Sequence, residues 1–129
     1  MRYYFFFVSL TIVTKIDLKL NMEAFDERTA SDAKLKNDLL SYFKKESSNT
    51  FNILNNMVLN NDYAGVSNEL HKLKGNVGIF GFDNIADYIV MIEKKLKSGE
   101  NADYFGMILE LSRSVNEHIV ELEKNILIN

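Results

Sequence analysis

The chain has 129 residues and a net charge of −3, with 47% hydrophobic and 26% charged side chains, no cysteine and no proline. That length supplies one domain with a real core and not two of ordinary size. The acidic balance gives no electrostatic case for nucleic acid, the missing cysteines exclude disulfides and thiolate metal sites, and the missing prolines suit long unbroken helices.

The chain opens on MRYYFFFVSLTIV, an apolar run over residues 3–13 behind the single charge of Arg2. A run of 11 residues is too short to span a bilayer, which takes about 20. The length suits a signal-peptide core, yet no small-x-small cleavage site follows. Ile16, Leu18 and Leu20 then alternate with polar residues, a strand-like pattern without a partner strand. Residues 1–21 are therefore expected to lie outside the domain, which runs over 22–129, with a cytoplasmic location; a short membrane anchor or export signal is the alternative for the apolar run.

From Thr29 the pattern turns helical. Leu35, Leu39 and Phe43 recur every fourth residue and, after a polar patch at 46–49, Phe51, Leu54 and Val58 resume the stripe. The spacing predicts one long helix, with a break into two at Ser47-Ser48-Asn49 as the alternative, capped at its start by Ser31 or Thr29 and ended by Asn60-Asn61-Asp62. Asp62 is placed to cap a second helix, whose Tyr63, Val66, Leu70, Leu73, Val77 and Phe80 follow a 3-4-3-4-3 seam. Gly81 suits the left-handed end of that helix, and Asp83 is placed to cap a third, marked by Ile85, Ile89, Ile92 and Leu96, with Lys94, Lys95 and Lys97 in its last turns. A fourth runs from about Ala102 through Ile108, Leu111, Val115, Ile119, Leu122 and Ile126. Four amphipathic helices joined by short loops predict an all-α, antiparallel four-helix bundle.

The second helix carries the chemistry. His71, Lys74, Gly75 and Gly78 stand at i, i+3, i+4 and i+7 and share one face. Two glycines on one stripe cost a helix interior ~1 kcal/mol each against alanine, so something is expected to approach the backbone there. His71 follows the seam residue Leu70 by one position, which places it ~100° round, on the shoulder of the seam. If the chain turns about Phe82, residues equidistant from the turn face each other; His71 stands 11 positions before it and Glu93 stands 11 after. A carboxylate so placed would take one ring N–H, fix the tautomer and leave the other nitrogen nucleophilic.

The string His71-x-Leu73-Lys74-Gly75, with glycines at the seventh and tenth positions after the histidine, resembles the signature of histidine-containing phosphotransfer (HPt) domains. The resemblance covers about residues 30–125; Leu70 departs from it, standing where many members have a small residue. It implies a four-helix bundle that relays a phosphoryl group between receiver-domain aspartates, with His71 as acceptor and donor. In this family a polar residue on the facing helix holds the inner ring nitrogen, the place Glu93 occupies. Lys74, one turn on, would support the phosphate, and Gly75 and Gly78 would form the strip on which a receiver docks.

The resemblance thus implies a phosphorelay intermediate in a two-component system, working as a monomer with a sensor histidine kinase and response-regulator receivers. It has no ATP site and no cofactor of its own, and magnesium is expected on the receiver. Plainer readings exist for each residue: His71 as a surface histidine, Glu93 as a solvated partner of Lys97 at i+4, Lys74 as a solubilising charge. At the level of the chain they become a non-catalytic interaction bundle, or the substrate module of a larger sensor kinase. His118, without glycines or a facing carboxylate, reads as structural or solvent-facing. No Glu-x-x-His pair suggests a metal site, and the glycines do not form a phosphate-binding loop.

Overall fold

The structure, a computed structural model, describes residues 13–128. These form five helices: α1 (Met22–Arg28), α2 (Ala33–Leu59), α3 (Tyr63–Ile79), α4 (Asp83–Lys97) and α5 (Tyr104–Ile128). The four long ones pack as a ring in which α2 meets α3, α3 meets α4, α4 meets α5 and α5 returns to α2. With short loops between them this is the expected antiparallel bundle; α1 is an addition that leans on α3.

The seams read from the sequence make the core. Val66, Leu70, Leu73, Val77 and Phe80 of the second seam are buried, as are Ile85, Ile89 and Ile92 of the third and all of the fourth as far as Leu122. The ends loosen: Tyr63 and Leu35 are exposed, and Leu96 and Ile126 are only partly covered. Helix α2 runs unbroken through its polar patch, where Ser47 is buried and donates its hydroxyl to the Lys44 carbonyl of its own helix at 3.2 Å.

Four helix ends use one device. Ala30, Asn61, Gly81 and Gly99 each take a positive φ, and the next amide reaches back to the last turn: Ser31 to Asp26 O, Asp62 to Met57 O, Phe82 to Val77 O and Glu100 to Lys95 O. These closures satisfy carbonyls that a helix end would leave bare. At Gly81 the closure is backed by packing. Phe80 and Phe82 stack at 5.7 Å between ring centres, Phe43 lies 4.9 Å from Phe80, and Phe25 of α1 lies 5.5 Å from it. The register of the α3–α4 hairpin is thereby pinned from both backbone and core.

Several starts differ from expectation. Asp32, not Thr29 or Ser31, caps α2 by accepting from Leu35 N–H at 2.9 Å, while Thr29 closes α1. Asp83 does not cap α4: Phe82 occupies that position without a side-chain bond, and the Asp83 carboxylate takes Asn21 Nδ2 instead. Asp62 caps α3 as expected, and Asp103 does the same for α5 through Gly106 N–H.

The largest correction concerns the N-terminal boundary. Residues 1–12 lie outside the described residues, but residues 13–21, expected outside the domain with them, pack on the bundle as a strap against α4 and α5. Ile16 is buried; its N–H donates to Glu110 Oε2 at 2.6 Å and its carbonyl accepts from Arg113 Nη2 at 3.0 Å. Asn84 of α4 donates to the Asp17 carbonyl, and Asn21 caps α1 and donates its N–H to Gly81 O. The alternating pattern that resembled a strand is a segment without regular secondary structure, held by side chains of α4 and α5. Among the described residues no helix is long and apolar enough to cross a membrane.

Candidate functional site

His71 stands on α3 with 74% of its side chain exposed, and its Nδ1 lies 3.6 Å from Glu93 Oε2 across the cleft to α4. The mirrored hairpin position therefore holds: Gly81 and the phenylalanines set the turn, and the turn sets the residue opposite His71. A separation of 3.6 Å exceeds the usual N–H···O range of about 2.7–3.2 Å, so this is a facing charge and not a closed hydrogen bond.

The closed bond belongs to Lys74. Its Nζ donates to Glu93 Oε1 at 2.8 Å, with the two side chains 30% and 20% exposed. Glu93 thus divides its oxygens, one to the ammonium and one to the imidazole. Lys97 makes no ion pair with it within 4 Å, so the i+4 alternative is not what the fold selects. Gly75 and Gly78 lie along the same face, where a Cβ added to either would meet nothing within 4 Å. Of the five residues singled out from the sequence, His71, Lys74 and Glu93 are brought together between α3 and α4, while Gly75 and Gly78 lie on the open side of α3; what the spacing did not reveal is that Lys74 is tied to Glu93. A cleft of about 360 Å³ continues from Glu93 past Ser67, Ala64 and Tyr63 to Leu96 and Lys97.

The other histidine is built into the core. His118 is fully buried, with Nδ1 2.7 Å from Ser114 O and Nε2 accepting the Lys19 N–H at 3.2 Å. Since Ser114 O can only accept, Nδ1 carries the proton and the ring is neutral. Burial holds its pKa below the ordinary 6.5, outweighing the opposite pull of the Ser114 carbonyl. Nearby, the Arg113 guanidinium bonded to Glu110 holds that carboxyl below its ordinary value of 4.5 despite its burial. Both groups anchor the strap. Among the described residues no group of three or more His, Asp or Glu could hold a metal ion.

The four-helix bundle thus shows one histidine to solvent, beside a largely buried carboxylate and two glycines whose side of the helix is open. The Hpt domain family model matches residues 38–125, and the chain belongs to that family. Hpt domains are phosphotransfer modules of two-component signalling; they meet receiver domains and kinases and generally have no ATP site of their own. Neither a curated protein nor a solved structure matches the chain. The family match begins inside α2, leaving the strap and α1 outside it.

Proposed function

We propose that the protein is a phosphorelay intermediate in which His71 accepts a phosphoryl group from a receiver-domain aspartate or a sensor kinase and passes it to another receiver. The observation that carries this is an exposed imidazole whose Nδ1 faces a carboxylate on the neighbouring helix. With the proton kept on Nδ1, Nε2 presents its lone pair. It attacks the phosphorus of an aspartyl phosphate, the N–P bond forms as the P–O bond breaks, and the aspartate carboxylate leaves with the electron pair. Positive charge grows on the ring during this step, and Glu93 Oε2 is the nearest anion to receive it. Such transfers demand alignment and charge stabilisation above all.

Gly75 and Gly78 let the receiver bring its aspartate close to the α3 backbone, and Ile79, 38% exposed one turn after Gly75, gives it an apolar contact. Magnesium, in this reading, arrives with the receiver. The test is His71→Gln, which keeps a polar side chain without the nucleophilic nitrogen. At a site this exposed the stability change is expected within about 0.5–1 kcal/mol. Incubated with a phosphorylated receiver, the wild type should take up label as an acid-labile, base-stable phosphoramidate and the variant none. Label on the folded variant, or an acid-stable product on the wild type, would leave a helical interaction bundle in place of a relay.

A further inference from the structure

We infer that the end of the bundle at which α5 begins rests on a lipid bilayer carrying anionic headgroups, held there by the apolar run over residues 3–12. The inference is independent of His71 being a phosphoryl acceptor. It starts from the course of the strap. The Lys19 N–H meets the His118 ring, the Ile16 N–H meets Glu110, and Val13 lies so close to Gly106 that a Cβ added there would be 2.9 Å from its Cγ2. Between Gly106 and His118 the helix rises by about 18 Å, and the chain from Val13 to Lys19 reaches at most about 20 Å. The strap is therefore drawn nearly taut along α5 toward the start of that helix, and Val13 is already within a turn of Tyr104.

That course decides what the preceding residues meet. The run Tyr3-Tyr4-Phe5-Phe6-Phe7-Val8-Ser9-Leu10-Thr11-Ile12 has no charge, and it joins the fold where the bundle's own surface is apolar. Leu59, 69% exposed, ends α2 there, and Tyr63, Phe105 and Leu109 are exposed beside it. The rings of Tyr63 and Tyr104, 5.4 Å apart, bring the starts of α3 and α5 together. A run of this length does not cross a bilayer, but its aromatic side chains suit the headgroup boundary. The charges agree. Lys94 and Lys97 are exposed in the last turns of α4, and Arg2 and Lys15 flank the run. Of the carboxylates at this end, Glu100 is bonded to Lys95, and Asp62 and Asp103 are engaged as helix caps. A second copy would bring its own lysines to the same face, whereas anionic lipid attracts them.

The test is flotation of the full chain with vesicles of phosphatidylcholine, alone or with about a third phosphatidylglycerol. Vesicle-bound chain rises, and free or self-associated chain stays below. The full chain should rise with both vesicles, more completely with the anionic ones, whereas a chain beginning at Val13, which keeps every contact of the strap, should stay below. In the full chain, Phe6→Asp/Leu10→Asp should abolish flotation in the same way. Leu59→Ser/Phe105→Ser should weaken binding roughly 10-fold, through exposed side chains that the core does not use. Lys94→Gln/Lys97→Gln should weaken it on anionic vesicles alone, by up to ~25-fold at ~5-fold per lysine. A full chain that stays below with both vesicles overturns the inference; sedimentation velocity then tells a monomer whose run folds back on α5 from a dimer that covers it with a second copy. Flotation of the chain beginning at Val13 would overturn it as well. So would undiminished binding by Leu59→Ser/Phe105→Ser, or by the lysine variant on anionic vesicles, since this end would then not face the lipid.

Discussion

Shortening the chain to begin at Met22 instead of Val13 removes the strap and leaves every long helix intact. Ile16, 4% exposed, loses a burial worth roughly 2 kcal/mol. Asn21 takes with it the α1 cap that accepts from Ala24 N–H, worth about 1 kcal/mol. The bonds from Ile16 to Glu110 and Arg113 are partly replaced by water, so they add less than the ~1 kcal/mol each that net hydrogen bonds average. The expected cost is about 3–5 kcal/mol, which for a domain near 100 residues lowers the melting temperature by roughly 12–20 °C. Circular-dichroism melts and urea titrations of the two chains measure it directly. Label transfer by the shorter chain, below its melting range, should persist because the strap lies on α4 and α5 away from the His71–Glu93 cleft. Melting temperatures within about 2 °C of each other would mean that the strap contributes little.

Acid should loosen the same region. The folded-state pKa of His118 is lowered, chiefly by burial, with Glu117 and Arg113 as the charged groups acting on it. The unfolded chain therefore binds the proton first, and the stability due to the neutral ring is complete above about pH 6.5. It falls as the pH drops toward the lowered value, by up to about 1.4 kcal/mol per unit. Urea midpoints measured from pH 7.5 to 5 should show this slope in the wild type and a flatter one in His118→Gln; equal slopes would exclude His118 as its source. At the docking face, Gly75→Ala should stabilise α3 by up to ~1 kcal/mol and leave transfer intact, whereas Gly75→Leu should fold and fail to bind a receiver. Normal receiver binding by Gly75→Leu in a titration would show that the strip is not the contact surface.

Much of the candidate site could be read in advance because one glycine fixed it. Gly81 marks where α3 must end, and counting outward from the turn reaches His71 on one side and Glu93 on the other. The division of Glu93 between the Lys74 ammonium and the His71 ring could not be read this way. His71 and Lys74 share a face, and only side-chain length and rotamer decide which of them closes on the carboxylate. The caps at Asp32 and Phe82 were missed for a related reason: neighbouring Thr29, Ser31 and Asp83 offer equally good side chains, but Thr29 is used to close α1 and Asp83 is taken by Asn21. Helix α1 left no periodic trace, having seven residues and a single buried side chain, Phe25. Nor could the strap be found from its own residues, since Leu18 remains exposed while Ile16 is buried, and what holds Ile16 is a pair of charged side chains almost a hundred positions later.

That separation sets an order of events when the chain is made. Lys19 and His118 are 99 residues apart, so at about 5–20 residues per second roughly 5–20 s pass between the synthesis of one and of the other. Helices α2, α3 and α4 emerge in that interval and can pair, because their contacts are between neighbours in the sequence. The strap cannot dock until α5 arrives, and until then Ile16 remains uncovered and available to a chaperone. The His71–Glu93 face needs only α3 and α4, so it can be assembled on the ribosome before the N-terminal segment has found its place.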